Sequence, residues 1–167
     1  MTETSTRILG ILRRLDERVG AVRVEDVYET GIEDLWDAVS TSARLVGWLG
    51  EVTGDLRLGG TFQATFRSSW TGTGRVEACE APHHLRVTLE PGTQDETEIE
   101  AWLSAEGDRT RLVVEERGLP VEVLPAHGAG WQAHVEDLAH HLDGCGDGDW
   151  RTRWSALIPA YREIAPA

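Results

Sequence analysis

Residues 61–89 read TFQATFRSSWTGTGRVEACEAPHHLRVTL. Phe62, Ala64 and Phe66 alternate with polar residues, and so do Leu85, Val87 and Leu89, which is the period-two spacing of strands with one face on a core. Trp70 to Gly72 and Ala81-Pro82 interrupt the alternation where hairpin turns are needed. No part of the span is long and periodic enough to be a helix.

The same texture extends outward from residue 52 to residue 118. Strands are expected near residues 52–58, 61–67, 73–79, 85–89, 96–104 and 111–117, with Gly59-Gly60, Pro91-Gly92 and Gly107-Asp108 as further turns. Consecutive hairpins imply an antiparallel sheet, and Ile99, Ala101 and Leu103 add a third inward-facing set. Gly60 is expected at a bend where a Cβ would be costly, while Gly72 and Gly74 permit curvature or a close backbone approach.

Both flanks change period. Upstream, residues 22–28 alternate as a strand, and Ile32, Leu35, Trp36 and Val39 then recur at helical spacing. A second short helical piece over residues 43–49 carries Leu45, Val46, Trp48 and Leu49 and stops at Gly50. Downstream, Trp131, Val135, Leu138 and Leu142 form one helical stripe, and a second stripe of Trp150, Trp154, Leu157, Ile158 and Tyr161 follows the glycine-rich 144–148. Ile8, Leu12, Leu15 and Val19 sit at helical spacing behind Thr4, Ser5 and Thr6, so residues 1–20 are expected to be an N-terminal helical extension preceding a main domain over 21–167.

A chain of 167 residues with 40% hydrophobic and 27% charged positions is expected to fold around one core. A net charge of −13 repels phosphate backbones and anionic headgroups, which argues against nucleic-acid or membrane partners. No window reaches the length of a membrane span and the N-terminal residues lack a signal-peptide pattern. Cys79 and Cys145 have no CxxC spacing and are read as free thiols, so a cytoplasmic location is expected.

The strand, two short helices, antiparallel strands and long helix carry local signatures: Leu35-Trp36-Asp37-Ala38, Gly47-Trp48-Leu49, Gly59-Gly60 before Phe62, Gly74-Arg75-Val76-Glu77 running into Ala81-Pro82-His83-His84-Leu85, and Gly130-Trp131 with Leu138. Together these resemble the Bet v 1-like (START-like, SRPBCC) superfamily in its Hsp90 ATPase activator homologue branch. The resemblance covers about residues 22–142. It implies an α+β helix-grip fold, in which a curved antiparallel sheet wraps a long C-terminal helix, with two short helices after the first strand. It also implies a cavity between sheet and helix. The segments before residue 22 and after 144 do not map onto the pattern and are read as extra packing or an oligomer surface, which leaves a homodimer open.

On that fold the expected ligand-binding residues are Trp48, Phe62, Phe66, Val87, Leu89, Ala101, Leu103, Trp131 and Val135. A small hydrophobic or aromatic ligand suits such walls. Two alternatives stay open: a polyketide cyclase- or aromatase-like enzyme, which needs at least two titratable side chains converging in the cavity, and a co-factor of an Hsp90-type chaperone, which the resemblance alone suggests. No catalytic residue is assigned, because neither a GxSxG elbow nor a family-type cysteine context is present. Glu98, Glu100 and Arg75 are expected on the solvent face, and would enter the cavity only if the faces were shifted by one.

No cofactor or metal is assigned. His134, Asp137 and His141 share an i, i+3, i+7 spacing and zinc-capable chemistry, yet without an HExxH motif or a distant ligand they read as a solvated polar helix face. His83 and His84 are expected at an exposed turn with no chemistry. Residues 143–154 imitate a calcium loop at Asp147 and Gly148, but place Cys145 third and Trp154 twelfth, so a helix-to-helix turn is expected.

Overall fold

The computed structural model describes residues 7–146 and 148–167. Among these residues the chain forms eight strands in one antiparallel sheet: β1 (Gly10–Arg14), β2 (Val19–Tyr28), β3 (Gly50–Gly54), β4 (Thr61–Phe66), β5 (Thr71–Glu80), β6 (His84–Leu89), β7 (Thr97–Glu106) and β8 (Arg109–Pro120). Their spatial order is β1-β2-β8-β7-β6-β5-β4-β3, so the chain crosses the sheet once, between β2 and β3, through α1 (Ile32–Ser40) and α2 (Ser42–Leu45). A single 3-10 turn leads from β8 into α3 (Leu124–Leu142), and α4 (Trp150–Arg162) follows. This is the helix-grip arrangement.

The registers explain the inner face. Phe62 pairs with Gly74, Val87 with Ile99, Leu85 with Ala101, Ala101 with Val114 and Leu103 with Leu112. Because side chains alternate, these pairs place the apolar sets in rows on one side. Beyond Gly74, a register shift between Val76 and Ala78 brings Cys79 opposite Leu85. The extra residue of a bulge inverts the alternation beyond it, so both Val76 and Cys79 face inward. Gly74 has a packing role: a Cβ there would collide with the Phe62 ring lying across it.

The N-terminal helical extension is corrected. Residues 10–14 are a strand of the same sheet, joined to β2 by a turn in which Asp16 Oδ1 accepts hydrogen bonds from Arg18 N (2.7 Å) and Val19 N (2.9 Å). Of the four apolar residues at helical spacing only Leu12 is deeply buried, whereas Leu15 is 45% exposed. Pairing with the open edge of β2 satisfies the backbone and buries Leu12, which outweighs a marginal helix of this length. Thr4, Ser5 and Thr6, the expected N-cap run, lie outside the described residues. The second helical piece is also shorter than expected, since α2 ends at Leu45 and residues 46–49 form hydrogen-bonded turns.

The terminal segments lock together around α3. Gln132, fully buried, accepts from Leu9 N (3.0 Å) and Tyr161 Oη (2.6 Å) and donates to the Arg7 carbonyl (2.6 Å). Ala167 exchanges backbone hydrogen bonds with Leu12 and Arg14. The α4 tryptophans donate back to α3, Trp150 Nε1 to the Gly130 carbonyl (3.2 Å) and Trp154 Nε1 to the Ala126 carbonyl (3.0 Å). Helix α4, after Gly144, therefore packs on the long helix.

Candidate ligand chambers

Between the inner sheet face and the helices lies a cavity of ≈ 240 Å³. Its floor is the inner face of β4 to β8, and its sides are Trp36 and Val39 of α1, Leu45 of α2, Trp48 and Leu49 of the following turn, and Trp131 of α3. The wall is apolar apart from Ser40, Arg57 and Cys79. Trp48 is turned inward with its Nε1 donating to the Ala38 carbonyl at 2.9 Å, so the indole shows the cavity only hydrocarbon.

Of the expected ligand-binding residues, Trp48, Phe62, Phe66, Val87, Leu89, Ala101 and Trp131 come together on this wall. Leu103 and Val135 do not. Leu103 is 3% exposed beyond the cavity end, paired with Leu112, and Val135 is 2% exposed with its carbonyl receiving Tyr28 Oη (2.8 Å). Val135 shares the Trp131 face but sits about 6 Å further along α3, at roughly 1.5 Å per residue, where Tyr28 of β2 meets the helix, which is the physical reason it is core.

A second chamber of ≈ 760 Å³ adjoins the first, and Phe66, Leu89 and Trp131 line both. It is bounded by the β4–β5 and β6–β7 turns, the end of β8, the first half of α3 and the start of α4. Its wall joins aromatic rings to carboxylates. Phe66 packs on Trp70 with centroids 4.8 Å apart, His134 lies 5.5 Å from Trp131 and 5.1 Å from Trp150, and Trp150 stacks on Trp154 at 5.6 Å.

Glu116 is the residue the sequence reading missed. It is 6% exposed on the inner face, its Oε1 accepting from Trp131 Nε1 (2.9 Å) and its Oε2 from Thr97 Oγ1 (2.9 Å). The signal was available: Leu112 and Val114 are inward, and period two carries the same face on to Glu116. Glu98 and Glu100 lie on the outer face, where Arg117 bridges them at 3.3 and 2.7 Å. Burial alone would raise the Glu100 pKa, but hydrogen bonds from His84 and Arg117 hold it below the usual carboxylate range. Arg75 pairs on the outside with Glu77, and His84 is drawn into the Glu100 pair while His83 stays exposed.

The solvated polar face expected on α3 is a second correction. His134 and Asp137 are only 4% and 5% exposed, because the α3 surface that would meet solvent is covered by α4 and neighbouring turns. Asp137 Oδ2 lies 3.5 Å from Arg67 Nη1, and His141 Nε2 accepts from Arg44 Nε at 2.9 Å. Burial pushes the His134 pKa down to about 3, the Trp48 backbone pulling the other way and Arg67 adding to the depression. The imidazole is therefore neutral near pH 7, and its Nδ1 is buried without a hydrogen bond of acceptable geometry. In the 143–154 turn, Asp149 caps α4 by accepting from Thr152 N (3.1 Å), and Asp147 lies outside the described residues.

The sequence profile of the activator of Hsp90 ATPase homolog 1-like family matches residues 29–143. The chain belongs to this family. Among solved structures, the crystal structure of CalU16 from Micromonospora echinospora shares 24% identity and a TM-score of 0.77, over 93% of this chain and 96% of that one. The protein encoded by BPP1335 from Bordetella parapertussis shares 22% identity and a TM-score of 0.71, over 100% of this chain and 97% of that one. DynU16, described as a protein in the dynemicin biosynthetic locus, shares 22% identity and a TM-score of 0.70, over 77% of this chain and 50% of that one. Among curated proteins none matches the chain. These likenesses establish the fold. No helix of the described residues is long and apolar enough to cross a membrane.

Proposed function

We propose that this family member binds a small hydrophobic or aromatic molecule in the apolar chamber. The observation that carries the reading is the chamber itself, ≈ 240 Å³ walled by Trp36, Trp48, Trp131 and the aliphatic rows of the sheet. An apolar cavity of about 150 Å³ is enough to hold benzene. Apolar walls left without packing partners forfeit dispersion contacts, at a cost that rises with the unfilled volume. An occupant that restores the missing contacts offsets that cost. The similar fold of DynU16, from a biosynthetic locus, is in keeping with a small-molecule role.

A cyclase-type enzyme is the weaker reading on physical grounds. Among the described residues the wall of the apolar chamber carries no carboxylate or imidazole, and His134 next door, with a pKa of about 3, is a poor proton acceptor near neutrality. The test is titration of an environment-sensitive apolar dye together with native mass spectrometry of the purified protein. Saturable dye binding in the wild type, lost in Ala101→Phe because the added ring fills the chamber, is the expected result. No retained molecule and no dye binding would refute the proposal.

A further inference from the structure

We propose that the second chamber is a head-group subsite for a protonated amine, so that the ligand is an amphipathic molecule with an apolar body in the first chamber and an ammonium group among the aromatic rings beside Glu116. This rests on the apolar-ligand reading above and narrows its chemistry. The two chambers adjoin across Phe66, Leu89 and Trp131, which line both, so a ligand reaching from one to the other would pass along these side chains.

The charges favour a cation. Among the described residues of the wall, the carboxylates of Glu90, Asp95 and Glu116 face one guanidinium, that of Arg151, with His127 at the rim 3.5 Å from Glu116 Oε1. Arg151 is already committed, donating to Ser69 Oγ (3.2 Å) and lying 5.9 Å from the Trp154 ring centroid. An anion would meet three like charges here. A neutral hydroxyl could donate one hydrogen bond to a carboxylate but would lack the charge attraction and the further donors of a cation. An ammonium has three donors and no acceptor, which suits a carboxylate flanked by indole faces.

Two further features point to an occupant. Each Glu116 oxygen receives one protein hydrogen bond, with His127 Nδ1 a further 3.5 Å from Oε1, and the nearly buried carboxylate keeps lone pairs beyond those two hydrogen bonds. His134, also on this wall and more than nine-tenths buried, keeps Nδ1 without a hydrogen bond. Buried polar atoms are ordinarily satisfied, and a ligand polar group entering the chamber would supply partners.

Three matched probes test the inference by calorimetry: 1-naphthylmethylamine, 1-naphthylmethanol and 1-naphthylacetate. The wild type is expected to bind the amine about tenfold more tightly than the alcohol, with the acid weakest. Glu116→Gln should remove that preference, and Trp154→Leu, at a half-buried position, should reduce it. Equal affinity for amine and alcohol in the wild type would overturn the inference while leaving the apolar-ligand reading intact, and needs no variant to fold. An unchanged preference in Glu116→Gln would overturn it too. Failure of all three probes to bind would remove both readings.

Discussion

Gly60 and Phe66 show how much a single side chain can report. A Cβ on Gly60 would collide with the Asp55 carbonyl and side chain and the Arg57 carbonyl, so the cost expected at a strand bend is a steric one against the β3–β4 turn. Gly60→Val should destabilise by roughly 1–3 kcal/mol in urea unfolding. Phe66 stands between the two chambers and is only partly buried, so truncating it enlarges space that is already unfilled. Phe66→Ala should therefore cost less than the roughly 3–5 kcal/mol of a close-packed Phe and should alter dye affinity. A full penalty without dye binding in either protein would mean the interior is simply packed.

At the scale of the element, α3 was expected to show one buried stripe and is buried on nearly every side in its middle turns. His134 carries the measurable consequence. Its unfolded imidazole takes up a proton near pH 6.5, whereas the folded one does so only at about 3. Between those values the unfolded state binds the extra proton, so the His134 contribution is intact above about pH 6.5 and declines by about 1.4 kcal/mol per pH unit on acidification. His134→Phe removes this dependence while other titrating groups are shared. From pH 7 to pH 5 the wild type should lose about 2 kcal/mol more than His134→Phe, measured by urea unfolding at each pH. Equal losses would mean His134 is hydrated in the folded protein.

For the whole molecule, the sheet closes over its own termini, with β1 on the edge of β2 and Ala167 on β1. A chain beginning at residue 21 loses the burial of Leu12, which alone contributes about 1.5–3 kcal/mol, together with the partners that residues 7 and 9 give Gln132. It should be destabilised by about 3 kcal/mol or more in thermal or urea melts; unchanged stability would restore the view of residues 1–20 as an appendage. The sequence by itself determined the antiparallel meander, the order of the helices and most of the apolar chamber, because period two and period 3.6 are local and Phe62, Val87 and Ala101 declare their face through their neighbours. Tertiary structure alone decided the rest. Edge pairing made residues 10–14 a strand, a bulge after Val76 turned Cys79 inward, and α4 buried His134 and completed the aromatic chamber. Each of these depends on which distant segment comes to lie alongside, and no local period records that.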